Sequence, residues 1–273
     1  MTMILAYAVI AALAIAAELL WPARQQALVR RGLFTDGVYV VINILLRIVF
    51  TNSIAISFTR LGAEVLPEWV PVATLSDRPV WLQAVVVIVV IDFFFYWMHR
   101  AKHRWDWWYR LHETHHSSEE LDWFSSVRFH PLEKILDRVI YLFPLTFLGA
   151  GASALLILSI VDAAIATFSH ANIRVRLGPL VYVIVGPEMH RWHHARSAEG
   201  QLSNFGNNLS IFDWIFGTAR LHTEEPEDFG IADRTFPEGN VVKQFFFAFR
   251  PLRTREGDES RSGVKPTKAP IPG

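Results

Sequence analysis

Four long apolar stretches constrain the fold of this chain more than any other feature. They cover residues 3–21, 37–58, 80–98 and 139–168. The hydrocarbon core of a bilayer is about 30 Å thick, and a helix of about 20 apolar residues can cross it. Because lipid offers no hydrogen bonds, a segment in this core must pair its own backbone groups, and a helix does so. The stretches therefore predict membrane-embedded helices.

The fourth stretch predicts a helical hairpin. It has thirty residues and is interrupted by Pro144 and by the sequence GAG at 149–151. A single straight span would place the histidines before and after it on opposite faces of the membrane. Glycine adopts unusual backbone angles at little steric cost, so we expect the chain to turn near 149–153 and return.

The remaining segments complete a single domain that we expect to cover residues 1–252. Segment 177–187 is too short to span a bilayer, and 241–249 has the character of a helix lying in the membrane interface. The tail 253–273 is charged and rich in Pro and Gly, so we expect it to be disordered. The predicted fold is an all-α integral membrane protein with about four transmembrane or re-entrant helices and a cytosolic histidine-rich cap.

The distribution of Lys and Arg predicts the orientation. Region 99–138 carries seven of these residues, whereas 59–79 carries two. Loops rich in Lys and Arg stay in the cytoplasm. We therefore place the first loop and 99–138 in the cytoplasm, and the hairpin returns 169–273 to the same side. We expect a bacterial inner membrane rather than the endoplasmic reticulum.

Composition excludes several kinds of site. The chain has no cysteine, which excludes thiolate zinc sites, cysteine-ligated iron–sulfur clusters and cysteine nucleophiles. The formal net charge is +0, so no overall field attracts nucleic acid, and we expect no nucleic-acid partner. Any metal ion must be held by nitrogen or oxygen ligands.

Ten of the eleven histidines lie between residues 99 and 194, and most fall in three short boxes. HRAKH at 99–103 places two histidines on one face if the preceding helix continues through them. HETHH at 112–116 and HRWHH at 190–194 repeat the pattern H-x-x-H-H. Neutral imidazole is the commonest metal ligand in proteins. The predicted ligands are His99, His103, His112, His115, His116, His190, His193 and His194.

The number of imidazoles exceeds the coordination sphere of one ion, so the boxes imply two metal ions. Imidazole suits Zn, Cu, Fe and Ni. His130 in VRFHPLEK and His170 in FSHANIR are further candidates for metal ligation or for support of the ligands. His222 lies in a polar stretch and is interpreted as a surface residue. Asp92, inside an apolar run, is a candidate hydrogen-bond partner for a ligand histidine.

HETHH also matches H-E-x-x-H, the zinc-protease pattern in which Glu113 would activate a water molecule. HRWHH has Arg191 at the corresponding position, so the repeated element is H-x-x-H-H and Glu113 is interpreted as incidental. A membrane-bound zinc metalloprotease stays open as an alternative. A non-enzymatic metal-binding protein or carrier is another, although a carrier should place its ligands along a path within the spans.

The ordered motifs resemble a known family. HRAKH, HETHH, RFHPLE, SHANI and HRWHH are preceded by DFFFYWMHR and followed by SNFGNNLSIFDWIFGT. This set resembles the fatty acid hydroxylase / sterol desaturase superfamily of integral-membrane oxygenases. The resemblance implies a cytosolic non-haem di-iron centre ligated by the eight box histidines, with His130 and His170 as accessory histidines.

The activity implied by the resemblance is O2-dependent hydroxylation or desaturation of a C–H bond in a membrane lipid, with hydroxylation favoured. The implied cofactors are two iron ions, which zinc can replace in purified protein because imidazole accepts both metals. O2 is the co-substrate. We expect electrons from a separate reductase with a cytochrome b5-like or ferredoxin-like carrier, and no catalytic residue beyond the metal ligands.

Overall fold

The computed structural model describes residues 2–46 and 75–251, and the regular structure in these ranges is helical apart from three isolated β-bridges. Part of the stretch 37–58 and the whole tail 253–273 lie outside the described residues. The α-helices are α1 (Thr2–Leu20), α2 (Leu33–Leu46), α3 (Val80–Arg104), α4 (Asp106–His116), α5 (Pro131–Leu148), α6 (Ala152–His170), α7 (Pro187–His193), α8 (Ala198–Gln201), α9 (Ile211–Ile215) and α10 (Val241–Phe247). Short 3-10 helices cover Leu75–Asp77, Trp123–Val127 and Gly178–Tyr182.

Helix α3 carries the first histidine box at its C-terminal end. Its apolar run continues without a break into HRAKH, so one helix contains both. The helix ends at Trp105, whose backbone is extended, and α4 begins at the next residue. Asp106 lies in the first turn of α4, where a negative charge is favourable beside unpaired N–H groups. The first two boxes are therefore joined by one sharp break in helix direction.

Helices α5 and α6 form the predicted hairpin. Helix α5 begins at Pro131, which suits a first turn because it lacks an N–H, and Pro144 lies within the helix without ending it. The helix ends where Gly149 adopts left-handed backbone, with φ at 55°. Helix α6 begins at Ala152. The predicted turn is confirmed, and the return to the same membrane face stays a prediction.

The helices pack so that the ends of α3 and α6 meet α7. Helix α3 contacts α4, α5 and α6, and α6 contacts α1 and α7. Val87 and Ile91 of α3 are buried against Leu158 of α6. This apolar contact lies well before His99 and His170, so it fixes the two helices while leaving their C-terminal ends for polar groups.

The apolar surface of these helices supports a membrane protein. Among the described helices, α3 and α6 are long and apolar enough to cross a membrane, whereas the apolar parts of α1 and α2 are shorter. In the most apolar 18-residue stretch of each helix, only 33% of α3 and 17% of α6 is buried inside the protein. An exposed apolar surface of this extent is unusual in a soluble monomer. The predicted count of about four membrane helices stays a prediction.

Candidate metal centre

Four elements deliver histidines to one end of the bundle. Helix α3 supplies two from its last turns, α4 supplies three, α6 ends on His170, and α7 with its C-cap supplies three more. In an α-helix, residues i and i+4 differ by about 40° around the axis, whereas i+3 lies about 60° to the other side. An H-x-x-H-H box therefore presents its histidines in two directions.

Nine histidines form two groups, and in each group the candidate ligand nitrogens all lie within 4.8 Å of one another. The first cluster is His99, His103, His112, His116 and His193. The second cluster is His115, His170, His190 and His194. The clusters are adjacent, because the ring centroids of His116 and His194 lie 4.3 Å apart. Each H-x-x-H-H box contributes its i and i+4 histidines to one cluster and its i+3 histidine to the other.

Backbone carbonyls fix the protonation of two histidines in the first cluster. Nδ1 of His99 lies 2.9 Å from the carbonyl oxygen of Phe205. Nδ1 of His193 lies 2.7 Å from the carbonyl oxygen of Ser203. A carbonyl oxygen only accepts, so each Nδ1 must carry the proton and donate. Each Nε2 then presents a lone pair, as a metal ligand does.

The same arrangement occurs in the second cluster. Nδ1 of His115 donates to the carbonyl oxygen of Arg128 at 3.2 Å, and Nδ1 of His170 donates to that of Ala166 at 2.7 Å. The Nε2 atoms of His115 and His170 lie 3.3 Å apart. With both Nδ1 atoms protonated, this contact joins two lone pairs and cannot be a hydrogen bond.

The converging nitrogens fit bound cations. In the first cluster, Nε2 of His112 lies 3.0 Å from Nε2 of His99 and 3.2 Å from that of His116. Two nitrogens bonded to one ion at about 2.1 Å, with angles between about 90° and 110°, lie about 3.0–3.4 Å apart. Among the described residues, the buried Nε2 atoms of His103 and His193 have no hydrogen-bond partner. A cation would satisfy these lone pairs.

Burial keeps the imidazoles neutral. It lowers the pKa of His193 to about 4. Burial first, and then neighbouring histidines, hold the pKa of His115, His116 and His194 well below the usual range. Neutral imidazole is the form that binds metal, so these side chains are ready to ligate at physiological pH.

A buried chain of charges lies behind His112, and sequence analysis missed it. Oε1 of Glu133 accepts from Nδ1 of His112 at 2.7 Å and from Nζ of Lys102 at 2.8 Å. Lys102 also pairs with Asp137 at 2.6 Å. Carboxylates that accept from the second nitrogen of a ligand histidine orient the ring and raise its basicity. The only signal in the sequence was a pair of acidic residues one turn apart in α5, which equally suits a solvated face.

The two isolated histidines near the boxes have different environments. His170 belongs to the second cluster, whereas His130 lies in neither cluster. Nδ1 of His130 accepts from the N–H of Leu132 at 3.2 Å and caps α5, and its Nε2 lies 3.2 Å from the carbonyl oxygen of Phe245. Both ring nitrogens of His130 are thus used by the backbone, which leaves none for a metal ion.

Three further expectations have structural outcomes. His222 is half-buried and stacks on Trp192, with ring centroids 3.6 Å apart, outside both clusters. Glu113 faces away from the clusters and forms two hydrogen bonds with Arg250, at 2.8 and 2.7 Å. Asp92 is a candidate partner for a ligand histidine in the sequence. It accepts instead from the backbone and side chain of Asn208, both at 2.8 Å.

Comparisons with known proteins agree with the motifs. Residues 84–218 match the model of the fatty acid hydroxylase family. The chain is 33% identical over 190 residues to the ornithine lipid hydroxylase of Rhizobium tropici, a match that covers 69% of this chain and 55% of that protein. No solved structure matches the chain.

Two eukaryotic relatives carry other lipid activities in their names. The alkylglycerol monooxygenase of Xenopus tropicalis is 30% identical over 128 residues, which are 47% of this chain and 28% of that protein. The Delta(7)-sterol-C5(6)-desaturase of Nicotiana tabacum is 31% identical over 161 residues, 56% of each chain. The matches thus span little more than half of these relatives at most. The match to the family model, these relatives and the ordered histidine boxes agree, and the chain belongs to the fatty acid hydroxylase / sterol desaturase superfamily.

Proposed function

We propose that this protein is a membrane-bound, O2-dependent di-iron oxidoreductase that hydroxylates or desaturates a C–H bond of a lipid. The observation that carries the proposal is the convergence of nine histidines, eight of them buried, into two adjacent clusters. The proposed ligands are the eight box histidines and His170. His130 is left out because both of its nitrogens bind backbone groups.

A bound iron pair would supply the activation of O2 and the oxidation of the C–H bond. The protein's own contribution is to hold the imidazoles neutral and oriented and to keep water away from them. The carbonyls of Ser203, Phe205, Arg128 and Ala166 and the carboxylate of Glu133 each fix one ring through its Nδ1 proton. A water-excluded site protects reactive species from side reactions.

The substrate class follows from the relatives and from the position of the site. The relatives act, by their names, on an ornithine lipid, an alkylglycerol and a sterol. The clusters lie at the C-terminal ends of α3 and α6, the two helices able to cross a membrane. A lipid whose tail lies in the bilayer can therefore reach the site. Hydroxylation is favoured over desaturation because two of these three relatives are named as a hydroxylase and a monooxygenase.

The proposal includes a topology and a redox partner. About four transmembrane or re-entrant helices would hold the clusters on the cytoplasmic face, most simply of a bacterial inner membrane. Electrons would come from a separate reductase through a cytochrome b5-like or ferredoxin-like carrier. The zinc-protease alternative is disfavoured because Glu113, its required base, is engaged by Arg250 and lies in neither cluster.

Metal analysis combined with lipid analysis tests the proposal. The protein is produced with iron, the metal content per chain is measured, and lipids made with and without the protein are compared under 18O2. We expect two iron ions per chain and either an 18O-labelled lipid or a new double bond. His190→Ala should remove the product, and His222→Ala should keep it. One zinc per chain with peptidase activity would refute the proposal.

A further inference from the structure

One short loop, residues 202–210 between α8 and α9, supplies both carbonyls that orient histidines of the first cluster. Ser203 accepts from His193 on α7, and Phe205 accepts from His99 on α3. The two acceptors are separated by a single residue, whereas the two histidines lie on helices distant in sequence. The position of this loop therefore sets the orientation of two ligands at once.

The residue between the two acceptors, Asn204, has an unusual backbone conformation that its own side chain supports. Its φ is 57°, the left-handed region that residues other than glycine rarely adopt. Its Nδ2 donates to the carbonyls of Met189 and Arg220, both at 3.0 Å, and its Oδ1 accepts from the N–H of Arg220 at 2.7 Å. These bonds connect the turn to α7 and to the segment that follows α9.

Asp213 holds the same turn from the opposite side. It is fully buried, and its carboxylate accepts from the N–H groups of Phe205 at 2.7 Å and Gly206 at 2.8 Å and from the hydroxyl of Thr218 at 2.7 Å. A Cβ on Gly206 would lie 2.9 Å from Oδ2 of Asp213 and 2.6 Å from the carbonyl oxygen of Leu209. Glycine at this position therefore permits the close approach of the carboxylate.

Two further carboxylates, those of Asp92 and Asp162, connect the loop to the long helices. Nδ2 of Asn208 donates to Asp92 of α3 at 2.8 Å and to Asp162 of α6 at 2.6 Å. The N–H groups of Asn208 and Leu209 also donate to Asp92. These bonds give Asp92, which is buried, and Asp162, which is half-buried, a role outside the metal clusters: they anchor the loop on both helices.

We infer that Asp213 is a positioning residue for the first metal site and that Asn208 anchors the same loop, because together they hold the carbonyls of Ser203 and Phe205 against His193 and His99. The inference rests on the proposed dimetal centre. It adds that the loop supports one of the two metal sites and not the other. The carbonyls that orient His115 and His170 of the second cluster belong to other segments. Loss of the Asp213 carboxylate should therefore weaken the first site and spare the second.

The test measures each site separately with zinc as the probe. His170→Ala with His190→Ala disables the second cluster, so that zinc titration of this reference protein reports the first site alone. In this background Asp213→Asn places an amide N–H2 opposite a backbone N–H, since asparagine keeps only one acceptor oxygen. We expect zinc affinity to fall roughly 10- to 100-fold, the range typical when a group behind a ligand is lost.

Two further variants separate positioning from general damage. Asp36→Asn is the matched control, because Asp36 is also fully buried and hydrogen-bonded but pairs with Arg30 and Arg128, away from the 202–210 loop. It should leave the zinc affinity of the first site within about 2-fold of the reference, well short of a ligand-support effect. Asn208→Ala is the milder variant, because it removes only the side-chain hydrogen bonds to Asp92 and Asp162. It should lower the affinity less than Asp213→Asn, and it serves if Asp213→Asn does not fold.

The visible absorption spectrum of bound Co2+ is a second measurement, and global destabilisation of the protein would not change it. With Co2+ in the first site, Asp213→Asn or Asn208→Ala should alter the visible absorption band, and Asp36→Asn should not. Zinc affinity unchanged by both loop variants, or lowered equally by Asp36→Asn, would overturn the inference alone. A reference protein that binds no zinc would overturn the dimetal centre, and with it the inference.

Discussion

Replacing Glu113 by glutamine distinguishes the proposed dimetal oxygenase from a zinc protease. In a protease of the H-E-x-x-H type this glutamate activates the attacking water, so the change removes activity. In this structure Glu113 instead binds the guanidinium of Arg250, which follows helix α10 near the end of the described chain. The change should therefore cost stability and leave both metal binding and turnover in place.

The size of the stability loss follows from the exposure of the pair. The side chains of Glu113 and Arg250 are 7% and 20% exposed, and two charge-assisted hydrogen bonds join them. Hydrogen bonds to charged groups contribute about 1.5–3 kcal/mol when buried. Glutamine keeps one acceptor, and Arg250 retains Asp233 at 3.7 Å as a second partner. A loss of about 1–2 kcal/mol is therefore expected.

Thermal unfolding in detergent and a turnover assay measure the two effects. A chain of this size loses about 2–4 °C of unfolding temperature per kcal/mol, so Glu113→Gln should unfold a few degrees earlier. Arg250→Ala should have a similar effect, and the double variant should lose less than the sum of the two single changes. Loss of all turnover in Glu113→Gln with an unchanged unfolding temperature and metal content would refute this reasoning.

Three further predictions concern a ligand's support, the topology and the hairpin. Glu133→Gln should lower zinc affinity of the first cluster by roughly 10- to 100-fold, measured by competition with a chelator, because the bond to the ligand ring is weakened. Since the chain has no native cysteine, single cysteines at the exposed positions Asp106, Glu199 and Asp77 can be labelled in sealed vesicles; the first two should react from the same side and the third from the other. Gly149→Ala should destabilise the protein by about 1 kcal/mol in thermal unfolding, because alanine tolerates left-handed backbone poorly.

The sequence alone determined the local structure and the kind of site. Apolar stretches of membrane-spanning length predicted α1, α3 and the α5–α6 hairpin, because helix formation there depends on segment length and on residues such as Gly149 that end a helix. The boxes predicted the metal chemistry because imidazoles at i, i+3 and i+4 are brought to neighbouring positions by the helix itself. Both depend on residues that are close together in the chain, so the sequence alone predicts them.

The tertiary structure decided which nitrogens meet. It assigned His112 and His193, from separate boxes, to the same cluster, and it brought His170 to the second cluster while His130 became a helix cap. It also placed Glu133 behind a ligand ring. His112 and His193 are 81 positions apart in the chain, and Glu133 is 21 positions from His112. Helix periodicity gives the direction of a side chain about its own axis, but only the packing of one helix against another determines what lies in that direction.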